Sequence, residues 1–229
     1  ITAVEHYTGF QAKTDYSRII LHQNRAKFMS HFGKSRNQLK RHVSVVVLFS
    51  ALLLSVTIEA DYEDGVNAAL SGDFETAFSE FTIAAEEGLN LAQYNLGILY
   101  FTGQGASQDF EKAFLWTKAA AEQDHLNAQF NLGSLYLEGQ GTEKDNLQGV
   151  EWFTKAAKNG HADAAYSLAK LHQDGEVVAR DLVTAHAWAA QSENNEHVGG
   201  QQLKLDLENV LSTAEISQAR RLFATWQIQ

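Results

Sequence analysis

From Ala92 the chain sets small and apolar residues at Ala92, Leu96, Leu99, Tyr100 and Gly103, a spacing of i, i+4, i+7, i+8 and i+11. That is one stripe along a helix, helix A. A second stripe follows at Ala113, Trp116, Ala120 and Ala121 and predicts helix B. Between them, Gly103 can adopt the left-handed conformation that stops a helix, and Asp109 stands where a carboxylate can cap the next one. The two stripes predict an antiparallel hairpin. Small residues at Ala92 and Gly97 admit a neighbouring helix, and Tyr100 fills the wider end of the crossing.

The pattern returns after 36 residues: "AQYNLGILYFTGQG" from Ala92 becomes "AQFNLGSLYLEGQG" from Ala128. Helix A columns hold register at Ala92, Ala128 and Ala164, at Leu96, Leu132 and Leu168, and at Gly97, Gly133 and Ala169. They continue at Leu99, Leu135 and Leu171, at Tyr100, Tyr136 and His172, and at Gly103, Gly139 and Gly175. Helix B columns follow at Asp109, Asp145 and Asp181, at Ala113, Gly149 and Ala185, and at Trp116, Trp152 and Trp188. A period in this range marks a solenoid whose units cannot bury their apolar faces alone. Units are expected at 92–127, 128–163 and 164–198, after a degenerate unit at 61–91 in which Ala77, Ala84 and Ala85 repeat the helix B stripe. Residues 199–229, with Leu203, Leu205, Leu211 and a Ser212 to Glu215 capping-box spacing, are expected to form a helical cap.

The sequence A-x-x-x-L-G-x-L-Y-x-x-G-x-G, followed by a capped helix with Ala, Trp and "AA", resembles the Sel-one-like repeat (SLR), a relative of tetratricopeptide solenoids. The likeness covers roughly residues 62–198. It departs at Asp124, where Gly is expected, and at Ala169 and His172. The resemblance implies an all-α, right-handed α-solenoid of stacked hairpins.

Charge divides the chain. Residues 1–60 carry eight Lys/Arg and three Asp/Glu, net +5, which leaves ten basic and 25 acidic residues, net −15, in 61–229. An acidic body argues against nucleic acid, whose phosphates need a clustered basic face. The chain has no cysteine, which removes disulfides, zinc–thiolate sites and thiol nucleophiles. It also has no proline, so its turns depend on Gly, Asp and Asn.

Lys34, Arg36, Lys40 and Arg41 precede "VSVVVLFSALLLSVTI", sixteen residues without a charge. As a helix that run is ~24 Å long, short of a ~30 Å hydrocarbon core. A basic segment followed by a short apolar one predicts an export signal over 29–60, with Ala60 at a plausible cut site and no stable membrane span after cleavage. Residues 1–28 precede the single Met and show no sustained period; they are expected to lie outside the natural product. The expected compartment is the periplasm.

His125, His161 and His197 also recur at the repeat period. Equivalent positions in stacked hairpins lie on the order of 10 Å apart, too far to share a zinc ion, so a loop or cap hydrogen bond is expected. Trp116, Trp152 and Trp188 read as structural helix B residues rather than a sugar-stacking ladder. The carboxylates Asp61, Glu63, Asp64, Glu86 and Glu87 read as a solvated face. "GQG" at 103–105 and 139–141 follows a helix and lacks the P-loop Lys, so it reads as a turn. No catalytic group, metal or cofactor is expected.

What remains is surface. Tetratricopeptide relatives bind extended segments on the groove side of helix A, and the resemblance carries that role to Tyr94, Asn95, Ile98 and Phe101, to Phe130, Asn131, Ser134 and Leu137, and to Tyr166, Lys170 and Gln173. The aromatics among them fit either repeat packing or exposed anchors. The resemblance implies a non-enzymatic adaptor with an envelope protein as partner, in signalling or polysaccharide regulation. The alternatives are a cell-wall hydrolase, linked to disulfide-rich relatives and weakened by the absence of cysteine, and a glycan-binding module.

Overall fold

The structure is a computed structural model, and it describes residues 61–228. The basic and apolar segment of 29–60 and residues 1–28 lie outside the described residues. Ten helices and no strands occur among those described: α1 (61–71), α2 (Phe74–Glu86), α3 (Asn90–Thr102), α4 (Phe110–Glu122), α5 (Leu126–Glu138), α6 (Asn146–Lys158), α7 (Ala162–Asp174), α8 (Leu182–Asn194), α9 (Gly200–Glu208) and α10 (Thr213–Trp226). None is long and apolar enough to cross a membrane.

Each helix packs mainly on its chain neighbours, and α8 also receives both α9 and α10. Short links between successive packed helices make antiparallel hairpins stacked in sequence order, an α-solenoid. Helix A is α3, α5 and α7; helix B is α4, α6 and α8.

The helix A stripe is buried in each unit. Ala92 and Leu96, Ala128 and Leu132, and Ala164 and Leu168 are all fully enclosed, one pair in each of three successive apolar clusters. The tyrosine column behaves differently from the leucine one. Tyr100 and Tyr136 are only half-buried, and each meets a helix B phenylalanine of the preceding hairpin edge-on at 5.2 Å, Phe78 for Tyr100 and Phe114 for Tyr136. The tyrosines thus close the rim of a seam whose interior is leucine and alanine.

The punctuation is chemical. Asp73, Asp109, Asp145 and Asp181 each accept a hydrogen bond from an amide in the first turn of the following helix B. Gly103, Gly139 and Gly175 end helix A at φ 72°, 70° and 77°. The second glycine of each GQG does more than turn the chain. A Cβ on Gly105 would lie 2.0 Å from the Phe74 carbonyl oxygen, and one on Gly141 would lie 1.9 Å from that of Phe110. Each loop therefore rests against the start of the preceding helix B.

Helices A and B cross where helix A has no side chain. A Cβ on Gly133 would meet Phe153 Cδ1 at 2.4 Å, on Gly97 it would meet Thr117 Oγ1 at 2.8 Å, and on Gly65 it would meet Phe81 at 2.7 Å. Phe81, Thr117 and Phe153 are 36 residues apart and all buried. The small residues of the expected helix B stripe, Ala113, Ala120 and Ala121 and Ala156 and Ala157, are buried beside this column, and only the tryptophans of the first two units depart from it. Trp116 and Trp152 are half-buried, packed against the apolar clusters of the preceding junctions, with Lys155 Nζ 5.2 Å from the centre of the Trp152 ring. Of the three tryptophans only Trp188 is buried, stacked at 4.0 Å on Trp226 of α10.

The last two helices close the stack. Leu203, Leu207 and Ala219 are buried, and Ser212 and Glu215 form a reciprocal capping box. Buried His186 meets Glu208 at 3.1 Å, Glu208 meets Arg220 at 3.1 Å, and Lys204 pairs with Glu193.

Candidate partner-binding surface

A histidine caps the first turn of two of the three A helices, α5 and α7, while α3 starts after Leu89 with no side-chain cap. His125 Nδ1 accepts from Ala128 N at 3.2 Å, and His161 Nδ1 accepts from Ala164 N at 3.3 Å. His197 Nδ1 accepts from Gly199 N at 3.0 Å, while its Nε2 meets Asp163 at 3.3 Å. An accepting Nδ1 requires the neutral ring with its proton on Nε2. Burial pushes the His125 and His161 rings below the ordinary histidine range.

The same rings hold the candidate aromatics. Tyr94 stacks on His125 at 4.3 Å, Phe130 on His161 at 4.6 Å and on Phe153 at 5.1 Å, and Tyr166 on His197 at 4.1 Å. Tyr94, Phe130 and Tyr166 are thus half-buried members of the junctions, each partly covered by the histidine that caps the following segment. Both readings open in the sequence are partly met: the rings pack, and each keeps an edge at the surface.

Around them, Asn95, Ile98, Asn131, Ser134, Leu137, Lys170 and Gln173 are half-buried and Phe101 is exposed at 37%. Asn95 donates to the Tyr62 hydroxyl of α1 at 3.3 Å, and the Tyr62 ring packs on Phe81 at 5.7 Å. Ser134 Oγ donates to Phe130 O, and Lys170 Nζ reaches Gln173 and Asp174. Phe101 meets Phe110 edge-on at 5.3 Å.

Sequence reasoning missed a buried amide ladder. Gln93 Nε2 donates to Ala85 O and Gln129 Nε2 to Ala121 O, each clamping helix A to the end of the preceding helix B. Gln123 and Asn159 then donate to the two glutamine oxygens at 2.7 and 3.0 Å. The signal was a glutamine repeated beside Ala92 and Ala128, polar in a stripe that should be apolar.

Among the described residues no group of three His, Cys, Asp or Glu side chains is placed to hold a metal ion. A cleft of about 430 Å³ between α8 and the closing helices is lined by His186, Glu193, Lys204, Glu208 and Arg220, whose polar groups pair with one another across the cap.

The comparisons agree with this geometry. The Sel1 repeat family model matches residues 90–125, 126–161 and 162–197. The chain therefore carries three consecutive Sel1 repeats, and its fold resembles the SLR solenoids. It is similar to the structure of a protective antigen of uropathogenic Escherichia coli strains displaying an SLR fold, with 36% identity over 66% of this chain and a TM-score of 0.60. A Sel1 repeat protein from Oxalobacter formigenes is also similar, with 29% identity over 58% of this chain and a TM-score of 0.55. The chain spans about a third of the first structure (32%) and about half of the second (55%). No curated protein matches it.

Proposed function

We propose that this chain is a non-enzymatic scaffold of the bacterial cell envelope that holds an extended segment of a partner protein along its helix A row. The observation that carries this reading is the row itself. Tyr94, Phe130 and Tyr166 recur on successive A helices, with amide, hydroxyl and ammonium groups of Asn131, Ser134 and Lys170 alongside. Apolar edges flanked by hydrogen-bonding groups at one repeat spacing suit a peptide laid across the stack, whose backbone needs donors and acceptors at intervals. The SLR fold supports the choice of a protein partner, and the basic and apolar run over 29–60 supports export.

Because Tyr94, Phe130 and Tyr166 are packed on cap histidines, their truncation would disturb the stack. A pull-down from envelope extract is better controlled with the double variant Ser134→Arg with Lys170→Glu. Capture by the wild-type chain that is lost in this folded variant supports the reading. Equal capture by both places the site elsewhere.

A further inference from the structure

We propose that His125 and His161 make two successive repeat junctions acid-releasable. Each imidazole has two duties at one place: its Nδ1 lone pair caps the next helix A, and its face supports the aromatic of the preceding helix A. Both depend on the neutral ring. A proton added at Nδ1 turns the acceptor into a donor that faces the amide of Ala128 or Ala164, so the cap is lost and that amide is orphaned. An aspartate or serine cap would keep its acceptor through this range, as Asp109 does at the start of α4, where the Lys112 amide holds its carboxyl below the ordinary value.

The surroundings decide the sign. Charged groups near His125 are Asp124, its chain neighbour, and Lys155 of α6, and these pair with each other at 2.8 Å. Among the described residues the charge acting on His161 is Asp163 on α7, which also meets His197. Asp163 favours the imidazolium, as does stacking on an aromatic face. Burial opposes it at both rings and outweighs these terms, so the folded state holds the neutral form more tightly than the unfolded chain does. Stability is then complete above the unfolded histidine value of about 6.5 and is lost as pH falls below it. Acid loosens both seams together because they share one construction, and Tyr94 and Phe130 are released with them. The inference concerns the stack and stands independently of what the helix A row binds.

The test is urea unfolding of the full chain at about pH 7.5 and about pH 5.5, a window above the ordinary carboxylate range. The double variant His125→Asn with His161→Asn keeps a side-chain cap that does not titrate. The wild-type midpoint is expected to fall on acidification, and the variant's midpoint by no more than half as much, His172 accounting for part of the remainder because burial lowers it too. A variant fall of more than half the wild-type one overturns the proposal. Should the variant not fold, long-range proton–nitrogen NMR of the wild-type chain decides. The Nε2–H tautomer at both rings with titration below about 6.5 supports it, and an Nδ1–H tautomer or titration at or above that value overturns it.

Discussion

At Gly133 a single missing methyl sets the distance between two helices. Gly133→Ala would press a Cβ against the Phe153 ring, which is itself buried, and should destabilise the fold by about 1–3 kcal/mol in urea unfolding. At Glu196 the backbone holds φ 65°, in the turn where Gly88 and Gly160 stand at 97° and 99°. Glu196→Gly should therefore stabilise by about 0.5–1 kcal/mol, with no change in helix content by circular dichroism. These positions were legible to different degrees. The capping aspartates and the glycines at 103, 139 and 175 stand out because their chemistry requires those residue types, and the structure uses them so. Leu96, Leu132 and Leu168 were equally legible, since an invariant leucine at the middle of each helix A stripe has nowhere to go but the interior. The column of Phe81, Thr117 and Phe153 was not, because the repeat conserves the space it fills and not the residue that fills it.

The hairpin is the element that the pattern reveals best, and helix B is where the pattern misleads. Tryptophan marks a repeat column, and its place in the helix B stripe suggested a structural residue on the apolar face. In the first two units it instead covers the seam with the preceding hairpin, while the neighbouring Phe153 or Thr117 enters the interior. Phe153→Ala should thus cost about 3–5 kcal/mol, as should Trp188→Ala, which also removes the stack on Trp226. Trp152→Ala should cost clearly less than either, since its ring is already half in water. Thermal or urea unfolding of the three variants ranks them directly. A Trp152 variant as unstable as the Phe153 one would restore the stripe first expected. The amide ladder escaped notice for a related reason: Gln93 and Gln129 satisfy carbonyls of another element, and that need is invisible along a single helix.

Over residues 61–228, packing between neighbouring helices makes a line of junctions rather than one central core. The repeat period was enough to read this architecture, since hairpins with two-sided apolar faces have to stack. The surface was less legible. Helix A aromatics look the same in sequence whether they pack or protrude, and here each does both through its partner histidine. The proposed function rests on the row of side chains that successive repeats bring into line. The most direct measurement is site-specific photocrosslinking in intact cells, with the probe at Phe101 or Ser134 on helix A and at Leu115, 60% exposed on helix B, as the control. A discrete protein adduct from the helix A positions and none from Leu115 is the expected result. Adducts from Leu115 alone, or equally from all three, would contradict the assignment of the helix A row as the binding surface.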